Sequence, residues 1–330
     1  MSTILIKNGT LIDGSGSKRY LADILIENEK IKKIGKLDLT ADKVIDASGK
    51  IVSPGFIDTH SHSDLKVLIE PFVEPKIRQG ITTEILGQDG ISMAPLPEEY
   101  VSSWRKNLAG LDGDSDELKW DWKNTDGYLN LISKTGSGPN ELYLVPHGNI
   151  RMEAMGLEAR VATKEELEKM KEITRREMEA GVAGLSTGLI YIPCAYAETE
   201  ELIEICKVAA EYGRPLVIHQ RSEADTMLES MQEVIRIAKE SGVKIHFSHF
   251  KICGQKNWKL IEPVIALLDK CKEEGINVSY DQYPYVAGST MLGVILPPWA
   301  HAGGTDKLIE RLKDKSLREK MKKDIIEGIP

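Results

Sequence analysis

The residues of this chain that could carry chemistry are histidines that follow short apolar runs. His60 and His62 come at the end of the run GFIDTHSH, and His219 and His249 end the runs PLVIHQ and KIHFSH. Residues two apart in a β-strand point to the same side, so His60 and His62 can aim into one site. Imidazole nitrogens suit zinc and related divalent metals, and a bound metal polarises a carbonyl and acidifies water. The pattern therefore predicts a metal centre that hydrolyses an amide or a related bond.

The elements that must position these histidines alternate between strands and helices after Pro54-Gly55. Seven apolar runs lie near residues 55–60, 82–87, 141–148, 181–188, 215–220, 244–249 and 277–283. The segments between them are amphipathic helices, one of which begins with a capping box of Thr163 and Glu166. Units that recur every roughly 30 to 40 residues predict a parallel sheet. No glycine-rich phosphate loop follows the first strand, which favours a (β/α) barrel whose active site gathers at the carboxyl ends of its strands.

The first 53 residues have a different pattern, with short alternating strands separated by glycine turns. One strand pair is predicted around Ser48-Gly49. We expect a small N-terminal β-domain over residues 1–53 and a barrel over residues 54–330. Seven strands can be counted for a barrel of the (β/α)8 type, so we expect it to lack its last strand in this chain.

Composition excludes several classes of function. The 330 residues carry a net charge of −8 and no basic stripe, which argues against a nucleic-acid partner. No apolar run reaches the ~18 residues of a membrane helix. The four cysteines are scattered without CxxC spacing, so we expect reduced thiols and a cytoplasmic protein. The sequence indicates no oligomeric state.

Five further stretches occur in the order expected of a known family. They are RQGITTEILGQDGISMAP, GVAGLSTGLIYIPCAYAETEEL, HQRSE, SHFKICG and DQYPYVAGST. With GFIDTHSHSD, they resemble the N-acyl-D-amino-acid deacylases, the D-aminoacylase family of the amidohydrolase superfamily. The resemblance implies a metal-dependent (β/α)8-type barrel that hydrolyses N-acyl-D-amino acids, small molecules, to a carboxylate and a D-amino acid. It also implies one or two divalent ions, with Zn²⁺ the expected metal.

The resemblance also assigns the metal ligands. His60 and His62 would hold one metal position, and His219 and His249 would hold the other, tighter one. Asp89, in the segment Gly-Gln-Asp-Gly, stands where the family usually has a cysteine. A carboxylate can ligate zinc and can bridge two metals. Asp89 could instead only shape the turn.

Substrate residues follow from the same resemblance. Lys251 with Tyr283 or Tyr285 would hold the substrate carboxylate, since a cation facing a carboxylate makes charge-assisted hydrogen bonds. Ser289 could assist them, and Arg221 could orient the substrate or a ligand. His147, in PHGNIR, matches a His-Gly-x-x-Arg stretch and is expected near the site.

Two features of the family are expected beyond residue 330. One is the aspartate that acts as general acid/base, and the other is a C-terminal segment that completes the small β-domain. Three alternatives remain open: a cyclic amidohydrolase of the hydantoinase or dihydroorotase type, a catalytically inactive metal-binding paralogue, and a truncated fragment. Cyclic amidohydrolases often use a carboxylated lysine from the fourth strand. The fourth strand here, GVAGLSTGL, contains no lysine.

Overall fold

A computed structural model describes residues 2–327, and the chain forms two compact units, Met1–Phe56 and Ile57–Pro330. The dividing point lies three residues beyond the predicted domain boundary. The completion of the first unit by a C-terminal segment stays a prediction.

The first unit is a five-stranded sheet. Its strands are β1 (Thr3–Leu11), β2 (Tyr20–Glu27), β3 (Lys30–Gly35), β4 (Lys43–Asp46) and β5 (Ile51–Val52). β1 pairs antiparallel with β2, and β2 pairs antiparallel with β3. The strand pair predicted around Ser48-Gly49 is wrong as a hairpin, because β4 and β5 both run parallel to β1 and extend the same edge one after the other.

The second unit is built on a seven-stranded sheet in sequential order. Its strands are β6 (Phe56–Asp58), β7 (Ile81–Leu86), β8 (Asn140–Pro146), β9 (Gly184–Gly188), β10 (Leu216–His219), β11 (Ile245–Phe247) and β12 (Val278–Tyr280). Each coincides with one of the seven predicted runs. Neighbours from β7 to β12 pair in parallel. β9 and β10 are buried along their whole length, as strands covered on both faces must be.

Helices cover the outside of this sheet. They are α1 (Lys66–Ile69), α2 (Glu74–Ile77), α3 (Val101–Leu108), α4 (Thr125–Thr135), α5 (His147–Met155), α6 (Lys164–Glu179), α7 (Thr199–Glu211), α8 (Met227–Ser241), α9 (Ile261–Glu273), α10 (Thr305–Lys313) and α11 (Lys315–Glu327). The predicted capping box at the start of α6 is confirmed, with Thr163 and Glu166 capping each other's backbone amides. Each of α6, α7 and α8 buries one apolar face, which fixes the sheet in place.

The sheet is curled. A flat sheet of seven strands would separate β6 from β12 by roughly 29 Å, at about 4.8 Å for each step. Instead Thr59, just after β6, donates its hydroxyl to Asp281, just after β12, at 3.4 Å. The carboxyl ends of all seven strands therefore face a common space, as predicted for a barrel. Within residues 2–327, no helix is both long and apolar enough to cross a membrane.

Candidate metal centre

The two histidines of the His-x-His pair lie in the loop that follows β6 and not in the strand itself. The loop keeps the alternation of a strand because the backbone N–H of Ser61 still donates to Ile85 on β7, at 3.2 Å. Ser61 points away from the site and donates its hydroxyl to Glu84 at 2.6 Å. The rings of His60 and His62 consequently lie on the same side, with centroids 5.2 Å apart.

Asp89 reaches the site from a tight turn after β7. Its own φ is +58°, between Gly87 and Gly90, which also have positive φ. A left-handed backbone is tolerated by aspartate better than by most residues. Gln88 fixes the turn by donating its side-chain amide to the carbonyl groups of Thr59 and Ile85, each at 2.9 Å. These hydrogen bonds fix the backbone of the turn and so direct the carboxylate of Asp89 toward the histidines.

Each oxygen of Asp89 faces a different pair of imidazoles. Asp89 Oδ2 lies 3.6 Å from His60 Nε2 and 3.4 Å from His62 Nε2. Asp89 Oδ1 lies 3.5 Å from His249 Nε2 and 3.9 Å from His219 Nδ1. The structure therefore brings all five predicted metal residues together, in two groups that share one carboxylate.

This donor set fits divalent metal ions. Ligand atoms around tetrahedral zinc are separated by roughly 3.3 Å, given bonds of about 2.0 Å. Several of the distances from Asp89 are close to that value. His60 Nδ1 and Asp89 Oδ1 are buried and have no hydrogen-bond partner among residues 2–327. Buried polar atoms without partners are costly, and a cation between these groups removes part of that cost.

The electrostatics of the centre follow from burial around one carboxylate. Burial would raise the pKa of Asp89, but His60 and the other imidazoles hold it well below its usual range. Burial lowers the pKa of His219 to about 4, which keeps that ring neutral. Burial also opposes the charge of His249, yet Asp89 and Glu223 raise its pKa to about 9. A metal ion at this position would displace that proton.

Glu223 supports the His219/His249 half of the centre and was not predicted from the sequence. His249 Nδ1 lies 3.0 Å from Glu223 Oε1, on the far side of the ring from Asp89. A ligating histidine usually donates its second N–H to such a carboxylate. The signal available was its place in HQRSE, four residues after His219.

Asp281 supports His249 through the backbone. The φ of His249 is +37°, an uncommon conformation for a residue other than glycine. Its N–H donates to Asp281, which also lies 2.9 Å from His246 Nε2. Asp281 therefore stabilises the strained backbone that turns His249 toward the centre.

Two of the predicted substrate residues lie beside His249. The ammonium group of Lys251 donates to Glu223 at 2.6 Å and lies 5.4 Å from the ring centroid of Tyr283. Tyr285 stacks on Tyr283 at 6.4 Å and is largely exposed. Ser289 is exposed, and the structure gives it no contact with the centre.

An apolar cavity of about 200 Å³ begins next to the centre. Tyr191 lines it, and the ring of Tyr191 meets that of His219 edge-on with centroids 5.3 Å apart. Further lining residues include Ile190, Ile192, Met291, Val294 and Leu296. None of the five metal residues lines the cavity, and Tyr191 is the residue that connects it to His219.

The amidohydrolase family profile (Amidohydro_3) matches residues 43–264. The chain belongs to the amidohydrolase family. A D-aminoacylase of Alcaligenes xylosoxydans xylosoxydans is 36% identical over 88% of the chain. The chain spans only 58% of the length of that relative.

Solved structures of amidohydrolases agree with the fold. An N-acyl-D-glutamate deacylase from Bordetella bronchiseptica, complexed with zinc and a phosphonate mimic of the tetrahedral intermediate, superposes with a TM-score of 0.80. It is 36% identical, over 86% of this chain and 59% of its own. A D-aminoacylase described by its binuclear metal centre gives a TM-score of 0.81 at 32% identity, over 97% of this chain and 69% of its own. The predicted barrel class and the resemblance to the D-aminoacylases are both confirmed.

Arg221 of this amidohydrolase is engaged away from the metal ligands. Its guanidinium donates to both carboxylate oxygens of Glu233 at 2.9 Å and to the carbonyl of Ala197 at 3.0 Å. The structure therefore gives Arg221 a role in joining α8 to the segment before α7, and it does not bring the guanidinium to the predicted substrate site.

His147 is fully buried one layer below the Asp89 turn. Its Nδ1 lies 2.9 Å from the hydroxyl of Thr187, and its Nε2 lies 2.8 Å from Glu201. Glu201 also accepts from Arg151, the arginine of the His-Gly-x-x-Arg stretch. Both ring nitrogens are occupied, so His147 supports the core beneath the centre and is not turned toward it.

Proposed function

We propose that this protein is a metal-dependent amidohydrolase that cleaves the amide bond of N-acyl-D-amino acids, releasing a carboxylate and a D-amino acid. The observation that carries the proposal is the shared carboxylate of Asp89 between two pairs of imidazoles. Its D-aminoacylase and N-acyl-D-glutamate deacylase relatives, each 36% identical, support this substrate class.

The proposed centre holds up to two Zn²⁺ ions. His60, His62 and Asp89 Oδ2 would hold one, and His219, His249 and Asp89 Oδ1 would hold the other. Bound zinc supplies a Lewis acid that polarises a carbonyl group and makes water more acidic near neutral pH. The protein contributes a fixed, largely buried set of ligands, so little reorganisation accompanies the reaction.

Lys251 is the proposed anchor for the substrate carboxylate. Its ammonium nitrogen lies 3.0 Å from Nδ1 of the metal ligand His249 and 5.4 Å from the ring centroid of Tyr283. With the carboxylate at Lys251 and the scissile carbonyl at the centre, an apolar side chain or acyl group can enter the cavity at Tyr191. Three fixed contacts around one stereocentre discriminate between enantiomers, because the mirror image cannot satisfy all three.

We propose no residue within 2–327 as the general acid/base. Glu223 is poorly placed for that role, since its carboxylate already accepts from His249 and Lys251. The cyclic-amidohydrolase alternative is disfavoured because β9 carries no lysine.

A binding experiment tests the proposal. The Zn²⁺-loaded chain is titrated calorimetrically with phosphonate analogues of an N-acetyl-D-amino acid and of its L enantiomer. We expect the D analogue to bind at least about 10-fold more tightly. Lys251→Ala should weaken its binding by roughly 10- to 100-fold, the value of a charge-assisted hydrogen bond. Lys256→Ala, at an exposed lysine that pairs with Asp225, is the matched control.

The outcomes separate the alternatives. Absence of binding by either enantiomer to the Zn²⁺-loaded chain, or equal binding of the two, would refute the proposed substrate. Fewer than about one metal ion bound to each chain would favour the non-enzymatic paralogue.

A further inference from the structure

Asp112 is brought to the metal centre by the turn that ends α3. The backbone N–H groups of Leu111 and Asp112 both donate to the carbonyl of Leu108, at 2.8 and 2.9 Å, so the chain folds back on the helix. The side chain of Asp112 is only 1% exposed. A carboxylate from a surface loop is thereby buried against His62.

The ring of His62 lies between two carboxylates. Its Nε2 is 3.4 Å from Asp89 Oδ2, and its Nδ1 is 3.4 Å from Asp112 Oδ1. A neutral imidazole has one N–H and one lone pair. If Nε2 gives its lone pair to a metal, Nδ1 carries the proton and points at Asp112.

Within residues 2–327 neither oxygen of Asp112 has another hydrogen-bond partner, so the carboxylate can accept a hydrogen bond from that N–H group. Asp64 lies with His62 and Asp112 in one group of possible metal ligands, and one of its two oxygens is committed elsewhere, while Oδ2 has no hydrogen-bond partner within residues 2–327. Its Oδ1 accepts from the N–H of Gly87 at 2.8 Å and from the hydroxyl of Ser92. Asp64 thus braces the Asp89 turn, while Asp112 is left to His62.

We propose that Asp112 is the positioning residue of the His60/His62 metal position. It holds His62 in the tautomer with Nδ1 protonated and directs Nε2 to the metal, as Glu223 does for His249 in the other half. The inference rests on the proposed metal centre. It predicts that each metal position has its own supporting carboxylate, from a different part of the chain.

The test measures the two metal affinities separately. Zn²⁺ is titrated into the metal-free 330-residue chain against a chromophoric chelator. Asp112→Ala should lower the affinity for one of the two bound Zn²⁺ ions by about 10- to 100-fold, which is the usual effect of removing the carboxylate partner of a ligating histidine. The affinity for the other Zn²⁺ ion should not change. Asp112→Asn, which keeps a neutral acceptor, should have a smaller effect. Glu223→Gln should weaken the opposite equivalent.

The matched control is Asp114→Asn, two residues further along the same loop, where the carboxylate pairs with Arg105. A spectroscopic readout tests the tautomer directly. Long-range ¹H–¹⁵N spectra of the Zn²⁺-loaded protein should show His62 protonated at Nδ1, with the signal assigned by its loss in His62→Gln. The Asp112→Ala variant should shift or broaden that signal.

The outcomes are distinct. If the unmodified chain binds no zinc, the proposed centre itself is refuted. If it binds two ions and Asp112→Ala binds both as tightly, Asp112 has no positioning role. Equal weakening of both equivalents with a lower melting temperature of the metal-free protein would mean a structural role only. A third equivalent that Asp112→Ala loses would overturn the proposal in favour of a cation site between Asp64 and Asp112.

Discussion

Asp89 is the residue at which this chain departs from the pattern of the family it resembles. A cysteine offers one soft sulfur atom, whereas Asp89 offers two hard oxygens, each facing its own pair of imidazoles. Carboxylate ligands favour harder ions than thiolates do. The substitution should therefore change which metals the centre prefers.

We predict that Asp89→Cys shifts the preference of the centre toward thiophilic metals. The ratio of Cd²⁺ to Zn²⁺ affinity should rise by at least about 10-fold, because thiolate is the softer ligand. Competition titrations of the two metals measure the ratio. Asp89→Asn, with a neutral side chain of the same shape, should lower both affinities without this shift. An unchanged ratio in Asp89→Cys would show that Asp89 is not a ligand.

His147 is a fully buried histidine with a raised pKa. Burial opposes a positive charge on the ring, but Cys194 and Glu201 raise the pKa of His147 to about 9, above the ordinary 6.5. A histidine with a raised folded-state pKa contributes stability that is complete below the unfolded pKa. That contribution is lost as the pH rises through the folded pKa.

We predict that the cost of His147→Gln depends on pH. The loss in free energy of unfolding should be largest at pH 6 and should shrink by up to about 3 kcal/mol by pH 9.5. Urea unfolding at the two pH values measures it. His301→Gln is the control, because burial lowers the pKa of His301 and no such loss should occur above pH 6.5. A pH-independent cost for His147→Gln would mean that the ring is neutral when folded.

The sequence allowed the ligands to be predicted but not their partners. His60, His62, His219 and His249 could be found because each follows an apolar run, and the carboxyl ends of parallel strands meet at one edge of a sheet. Glu223, Asp281 and Asp112 could not, because their roles depend on which side chains meet across loops. Arg221 was predicted at the site from the family resemblance, and its pairing with Glu233 became visible only in three dimensions.

At the scale of elements, the turn after β7 sets the position of Asp89. Gly90 has a φ of +71°, and a Cβ there would lie 2.7 Å from the Cα of Thr187 and 2.8 Å from the sulfur of Cys194. The backbone of the turn must therefore pack directly against β9. No other residue type fits without moving Asp89.

We predict that Gly90→Ala disrupts both the fold and the centre. The positive φ and the clash should together cost at least about 2 kcal/mol, and the shift of Asp89 should weaken metal binding by more than about 10-fold. Thermal unfolding and zinc titration measure the two effects. Gly136→Ala has a φ of +83° with no atom within 4 Å of the added Cβ, so it should lose some stability but no metal affinity. Equal effects of the two variants on zinc would contradict this account.

The seven strands were predictable as elements, because their short apolar runs are bounded by turn residues. The pairing of β4 and β5 with β1 was not. A turn at Ser48-Gly49 suggests a hairpin by local rules. In the structure, β4 and β5 instead pair one after the other with the same edge of β1, which lies far from them in the sequence.

At the scale of the whole second unit, the proposed centre joins loops from β6, β7, β10 and β11. An ion that binds only the folded state stabilises it by about 2.7 kcal/mol at 100 times its dissociation constant. Metal removal should therefore weaken the entire sheet and not one loop.

We predict that a chelator lowers the melting temperature of the zinc-loaded protein by several degrees. Hydrogen exchange should increase in the strands of the sheet as well as in the loops after these four strands. The double variant His60→Gln/His249→Gln should melt at one temperature with or without chelator. Equal sensitivity of the variant would place the stabilising ion elsewhere.

The contact between Thr59 and Asp281 has a consequence for kinetics. These residues are 222 positions apart, yet they join the ends of β6 and β12 beside the metal ligands. Such a long loop closes late in folding, because the chain loses conformational entropy on closure before the contact between its ends stabilises it. Metal bound across this closure should therefore slow unfolding and leave the folding rate almost unchanged. The centre would then determine how long the folded chain persists more than how quickly it forms.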